Sequence, residues 1–140
     1  LQLRDMIPTI ENPGQWGAFG GAIEEGEKLD AAVYRELIEE LGVSLNTIYT
    51  FRAFHLQNII CHFFYSELHV PLSKLSLNEG VEMGLFTIDE ILQESLYSQE
   101  LRTFFPVSPQ FLNFFNEFLK FMKSKEFMRT VEMTRNAELH

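Results

Sequence analysis

The chain has 140 residues, 46% of them apolar and 14 of them phenylalanine, enough for one packed core; a domain of this size removes about 68 to 70% of its unfolded surface from water. That composition excludes a disordered polymer, and no stretch approaches the roughly 18 consecutive apolar residues of a membrane-spanning helix. Twenty acidic against eleven basic residues leave a formal net charge of −9, which opposes binding to a phosphate backbone; neither nucleic acid nor a membrane is the expected partner. The single cysteine, Cys61, cannot form an internal disulfide, and the opening residues do not read as a leader, so a reducing cytoplasmic setting is expected, with the thiol in the core.

Leu1-Gln2-Leu3-Arg4 alternates like a strand already under way, and this first strand is read as truncated. Residues 7–21 hold Pro8, Pro13, Gly14, Gly17, Gly20 and Gly21, a density of turn-formers that predicts a loop. Apolar residues at Leu29, Val33, Leu37 and Leu41, with Asp30 near the start and Gly42 just past the end, predict a helix of about three turns. Residues 48–55 and 59–70 are rich in β-branched and aromatic side chains around Gln57-Asn58 and predict an antiparallel hairpin. Asn78-Glu79-Gly80 predicts a turn, residues 82–87 a short strand, 89–96 a brief helix and 109–125 a final helix, with 124–140 a frayed polar tail. Strands and helices mixed without strict alternation favour a single α+β domain over 1–140, a layered sheet flanked by helices.

The chemistry concentrates in residues 20–43. At 100° per residue Glu36, Glu39 and Glu40 fall within an arc of roughly 100°, while Leu29, Val33, Tyr34, Leu37, Ile38 and Leu41 fill most of the rest. Like charges one turn apart repel. Arg35 lies four residues before Glu39 and can pair with it, but one guanidinium cannot neutralise three carboxylates with Glu27 and Glu24 or Glu25 nearby; a divalent cation can. Hard oxygen donors without interleaved Cys or His select Mg²⁺ or Mn²⁺, which usually binds together with substrate phosphate. The glycine-rich loop would let backbone approach such a ligand. Taken on spacing alone, an ordinary solvated acidic face is the commoner meaning of such a helix edge.

The larger pattern decides otherwise. Gly21, Glu27, Arg35, Glu36, Leu37, Glu39, Glu40, Gly42 and Val43 occupy all nine defined positions of the Nudix box, a match expected by chance on the order of once in a million from composition. The segment therefore resembles the Nudix hydrolase family. The resemblance implies an α/β/α sandwich around a mixed β-sheet, with the box as a loop-helix-loop at the active site. It further implies that Glu36, Glu39 and Glu40 bind metal, that Gly21 offers a backbone carbonyl, that Arg35 orients the glutamates, and that Glu27 positions the metal shell or water. The general base in this family is often a glutamate in a later loop; Glu79 is the candidate and Glu82 the reserve. The implied reaction is Mg²⁺- or Mn²⁺-dependent hydrolysis of a phosphoanhydride in a nucleoside diphosphate linked to another group, a nucleoside triphosphate or nucleotide sugar. The competing readings are a nucleotide-binding module that regulates a partner without cleavage, and a scaffold domain of a longer polypeptide.

Substrate signals are fewer. Arg4 could meet phosphate, and Trp16 and Phe19 in the glycine loop could stack on a base or sugar, although Trp16 can equally cap the core. No proline lies about sixteen residues after Val43, where ADP-ribose hydrolases tend to carry one, and Ile60 stands where dinucleoside polyphosphate enzymes have tyrosine. Phe19 precedes Gly20-Gly21 where many relatives have proline. His55, His62 and His69 recur every seven residues, an odd spacing that predicts opposite strand faces and no shared metal. Phe111, Leu112, Phe114, Phe115, Phe118, Leu119, Phe121 and Met122 wrap a wide arc of the last helix, expected to pack on the sheet and broad enough for a homodimer contact.

Overall fold

A computed structural model describes residues 1–138. The chain is mixed α+β and divides into two compact units, Leu1–Ser108 and the helices from Pro109 onward. In the first unit, β1 (Gln2–Leu3) is the middle strand of a small antiparallel sheet, flanked by β2 (Trp16–Gly17) and β5 (Glu82–Met83). Leu3 faces Trp16 on one side and Glu82 on the other. Both Leu3 and Trp16 are fully buried, which makes this pair the centre of the core. The helix α1 (Leu29–Leu41) has its expected bounds; Gly42 closes it in the left-handed conformation, φ +63°, and donates to the Ile38 carbonyl. Glycine adopts that conformation without the Cβ penalty.

The long hairpin of β3 (Tyr49–Leu56) and β4 (Ile59–Tyr65) forms with Leu56 opposite Ile59, so Gln57-Asn58 is a two-residue turn, and Gln57 takes φ +50° to make it. Pairing His62 with Ala53 puts His62 on the same face as His55. The turn between the strands thus reverses what spacing along one strand predicted, because opposed residues share a face.

Several sequence expectations are corrected by the structure. The glycine-rich loop carries β2, whose two residues pair with β1. The strand expected at 82–87 is only Glu82–Met83, and the brief helix is a single turn, α2 (Ile88–Ile91), held by a reciprocal capping box between Thr87 and Glu90. Leu96 lies not in that helix but in β6 (Ser95–Ser98), which pairs with β7 (Thr103–Pro106). The polar tail, expected to fray, carries a helix, α4 (Lys125–Glu138), after α3 (Pro109–Met122). The α+β class holds, with the strands arranged as three small antiparallel sheets, and a parallel bridge from Trp16 to Val107 ties β2 to the residue that follows β7.

Trp16 ties the first unit together. Its indole N–H donates to the Leu96 carbonyl at 3.2 Å, its carbonyl accepts from the Ser108 N–H at 2.9 Å, and Phe86 meets it edge-on at 4.9 Å. In the second unit Phe111 stacks on Phe115 within α3, and Phe121 meets Phe127 of α4 edge-on. Among the described residues no helix is long and apolar enough to cross a membrane. Replacing Trp16 removes the largest core side chain and orphans the Leu96 carbonyl, so Trp16→Ala should lower unfolding free energy by about 3–5 kcal/mol in a urea titration. A loss below about 1 kcal/mol would mean this ring is not the keystone.

Candidate active site

Helix α1 and the glycine loop build the site around Arg35. Its Nε–H and one Nη2–H grip both oxygens of Glu27 at 2.9 Å, Nη1 donates to Glu36 at 2.8 Å and Glu39 at 3.0 Å, and Nη2 donates to the Ala22 carbonyl at 2.9 Å. All five guanidinium donors are thereby used, a fork that lysine could not reproduce. The pairing with Glu39 inferred from the four-residue spacing is present, and Arg35 reaches further than spacing indicated, to Glu27 and Glu36 as well. The guanidinium beside it holds Glu27 down at about 2, helped by the Glu24 N–H, which donates to Glu27.

Glu40 is different. It is 4% exposed and, among the described residues, has no cation: its Oε2 accepts from the Gly20 N–H at 2.8 Å, and its Oε1 receives a long 3.5 Å contact from the Gln2 amide. Burial pushes it up to about 7; the Gly20 and Gln2 donors pull it part of the way back, and the charges of Glu36 and Glu79 raise it further. A buried carboxylate in the field of other carboxylates is electrostatically frustrated until a positive charge arrives.

Gly21 is the glycine of the box for a steric reason. Its Cα lies against the Glu36 carboxylate, and a Cβ there would collide with all three carboxylate atoms. Glu39 is the outermost of the three helix glutamates, with a side chain 58% exposed.

The residues outside the box separate into two groups. Glu79 sits exposed in its turn, and its charge reaches Glu40. Glu82, the reserve base, is committed elsewhere: its carboxylate accepts from the Ser98 hydroxyl and from the Gln99 and Glu100 N–H groups, pinning the β6–β7 turn to β5. Trp16 is also removed from the substrate-binding set, because a ring with no exposure offers no face to a base. Arg4 is half-buried and spends its Nε–H on the Glu11 carbonyl at 2.7 Å. Phe19 is half-buried beside Gly20. Sequence reasoning missed Gln2, which is 2% exposed and also donates, at 3.4 Å, to the Ala18 carbonyl; the one signal was an amide inside the apolar alternation Leu1-Gln2-Leu3.

Among the described residues no three His, Cys, Asp or Glu side chains are gathered closely enough to enclose an ion. The donor chemistry nonetheless fits a divalent cation. The oxygens are hard, Glu40 is buried without a compensating charge, and Arg35 satisfies Glu27, Glu36 and Glu39 but not Glu40.

The family model described as the NUDIX domain matches residues 6–107, and the chain belongs to that family. It is similar to the oxidized purine nucleoside triphosphate hydrolase of Mus musculus, 26% identical over 89 residues, which are 64% of this chain and 47% of that protein. It is also similar to the nucleoside triphosphatase NudI of Escherichia coli O139:H28 and of Shigella flexneri, each 52% identical over 33 residues, 24% of this chain and 23% of the relative. The chain thus spans less than half the length of these relatives. No solved structure matches it.

Two outcomes follow from this geometry. Gly21→Ala should displace the Glu36 carboxylate and lower Mn²⁺ affinity by at least about tenfold in a calorimetric titration; unchanged affinity would show that the close approach has no bearing on the ion. Because Glu27 sits at about 2 in the folded chain against an ordinary 4.5, its contribution to stability is fully present above pH 4.5 and is lost as pH falls towards 2. Acid unfolding of Glu27→Gln, followed by circular dichroism, should therefore show a shallower loss across that window than the wild type.

Proposed function

We infer that the chain is a divalent-metal-dependent pyrophosphohydrolase acting on a nucleoside triphosphate, with nucleotide sugars as the second substrate class. The observation that carries this reading is Glu40, a carboxylate buried against the glycine loop within a complete Nudix box and left without a counter-charge. The activities for which these relatives are named, nucleoside triphosphate hydrolysis in each case, support the choice of substrate class.

Glu36, Glu39 and Glu40, with the Gly21 carbonyl, would hold Mg²⁺ or Mn²⁺. Such an ion supplies positive charge against phosphate oxygens and makes water a stronger acid. Arg35 holds Glu27 and Glu36 aimed, since its fork fixes the direction of both carboxylates. Glu40, anchored by the Gly20 N–H, fixes the glycine loop beside α1. Glu79 is the general base of this scheme: it is exposed, lies in the same acidic field, and can take the proton from the water that attacks phosphorus. Glu27 contributes by holding the loop through Arg35 and the Glu24 N–H. Phe19 and the remaining donors of Arg4 are the candidates for contact with the nucleoside and its phosphates. The products are a nucleotide and a second phosphate compound.

The test is a panel of nucleoside triphosphates, nucleotide sugars and dinucleotides with Mg²⁺, read by release of nucleoside monophosphate. Activity should vanish with chelator and return with Mg²⁺ or Mn²⁺, and Glu40→Gln should lower kcat by at least about 100-fold. Full turnover by Glu40→Gln would defeat the assignment, and a panel without turnover would favour a nucleotide-binding module.

A further inference from the structure

The turn that carries Glu79 is fastened to two elements. On one side, the Asn78 side-chain amide donates to the Glu39 carbonyl at 2.6 Å and the Asn78 backbone N–H donates to the Glu40 carbonyl at 3.0 Å. The Ser76 N–H then takes the Leu41 carbonyl at 3.0 Å, and Gly42 takes Ile38. All four carbonyls at the C-terminal end of α1, which an isolated helix would leave to water, are thus satisfied, and a single side chain reaches across 39 residues to do part of it. On the other side, Gly80 at φ +83° lies against the Leu3 carbonyl, 2.8 Å from where a Cβ would stand, and the Val81 N–H donates to that carbonyl at 2.8 Å. Glu79 is strung between these two moorings.

Both groups that Asn78 binds belong to residues of the acidic set. A turn tied to the backbone of Glu39 and Glu40 moves with them, so the separation between the Glu79 carboxylate and the helix glutamates is set by two short hydrogen bonds. An exposed carboxylate on an untied turn would sample many positions, and its contribution to a cation's field falls with distance and with solvent screening.

We propose that Asn78 is a positioning residue that holds Glu79 against the α1 glutamates, so that Glu79 contributes to cation binding and to proton removal only while the Asn78 amide grips the Glu39 carbonyl. This rests on the hydrolase reading given above. The alternative role for Asn78 is helix capping alone, which would act on stability without acting through Glu79.

The experiment is a double-mutant cycle of Asn78→Ala and Glu79→Gln in the full chain. Mn²⁺ affinity is measured by titration calorimetry without nucleotide, and kcat in the Mg²⁺ assay. Each single variant should weaken Mn²⁺ binding by about tenfold and lower kcat, and the double variant should be no worse than Glu79→Gln alone. Asn78→Ser, whose hydroxyl is shorter by one bond and keeps a turn-forming side chain, takes the place of Asn78→Ala should the latter not fold. Equal losses from the Asn78 substitution in the wild-type and Glu79→Gln backgrounds would overturn the proposal, as would wild-type affinity and kcat in the Asn78 variant. A wild-type chain that neither binds Mn²⁺ nor turns over any substrate would instead overturn the hydrolase reading, and this inference with it.

Discussion

The bonding of one guanidinium organises the site. Arg35 has five donors and the structure gives each an acceptor, four of them on three glutamates of the same helix or its preceding loop and one on the Ala22 carbonyl. Without that cation the loop and the helix would present several carboxylates to one another at close range, and like charges at such distances favour separation. With it, the loop folds back on α1, the Glu27 carboxyl is held well below the usual carboxylate range, and the glycine at position 21 can approach Glu36 as closely as it does. Arg35 stops short of Glu40. The charge imbalance is therefore left at one buried atom pair, where the Gly20 N–H is the strongest donor on offer.

The sheet supplies the frame for that arrangement. β1 lies between β2, which leads into the glycine loop, and β5, which follows the Glu79 turn. Its two residues divide the labour: Leu3 enters the core with Trp16, and Gln2 turns its amide towards Ala18 and Glu40. Alternation along a strand thus places the hydrophobic centre and the acidic centre on opposite faces of the same two residues. Glu82 then ties β5 to the β6–β7 turn through Ser98 and two backbone N–H groups, which uses a carboxylate for architecture close to where others serve chemistry.

Much of this was legible beforehand, and the reasons are local. The bounds of α1 follow from four apolar residues at helical spacing and a glycine that ends it, and the β3–β4 hairpin follows from β-branched and aromatic runs around a polar dipeptide. The acidic edge of α1 and the pairing of Arg35 with Glu39 were visible in the same 23 residues of the box. What escaped depends on partners distant in sequence. β6 and β7 have four residues each and no glycine between them; their turn is made by Arg102 at φ +54° and by Glu82, sixteen residues before Ser98. Glu82 read as a spare base because nothing near it in sequence reveals its three donors. Trp16 read as a stacking platform or a core cap, and only its bond to Leu96, eighty residues on, distinguishes them. Asn78 read as a turn residue for the same reason. The second helix at the end of the chain was obscured by its polarity, since a helix without a strong apolar stripe gives little periodic signal.

The placement of Trp16 carries an optical consequence. It is the only tryptophan in the chain, and it sits wholly within the Leu1–Ser108 unit, dry, hydrogen-bonded and edge-on to a phenylalanine. Intrinsic fluorescence excited at the red edge therefore comes from an indole in this unit, shielded from water, and it shifts when the strands around the glycine loop come apart. The helices beyond Pro109 hold no tryptophan, while far-ultraviolet ellipticity is sensitive to them. The two spectroscopies followed together would resolve whether the two units of this polypeptide melt in one transition or two.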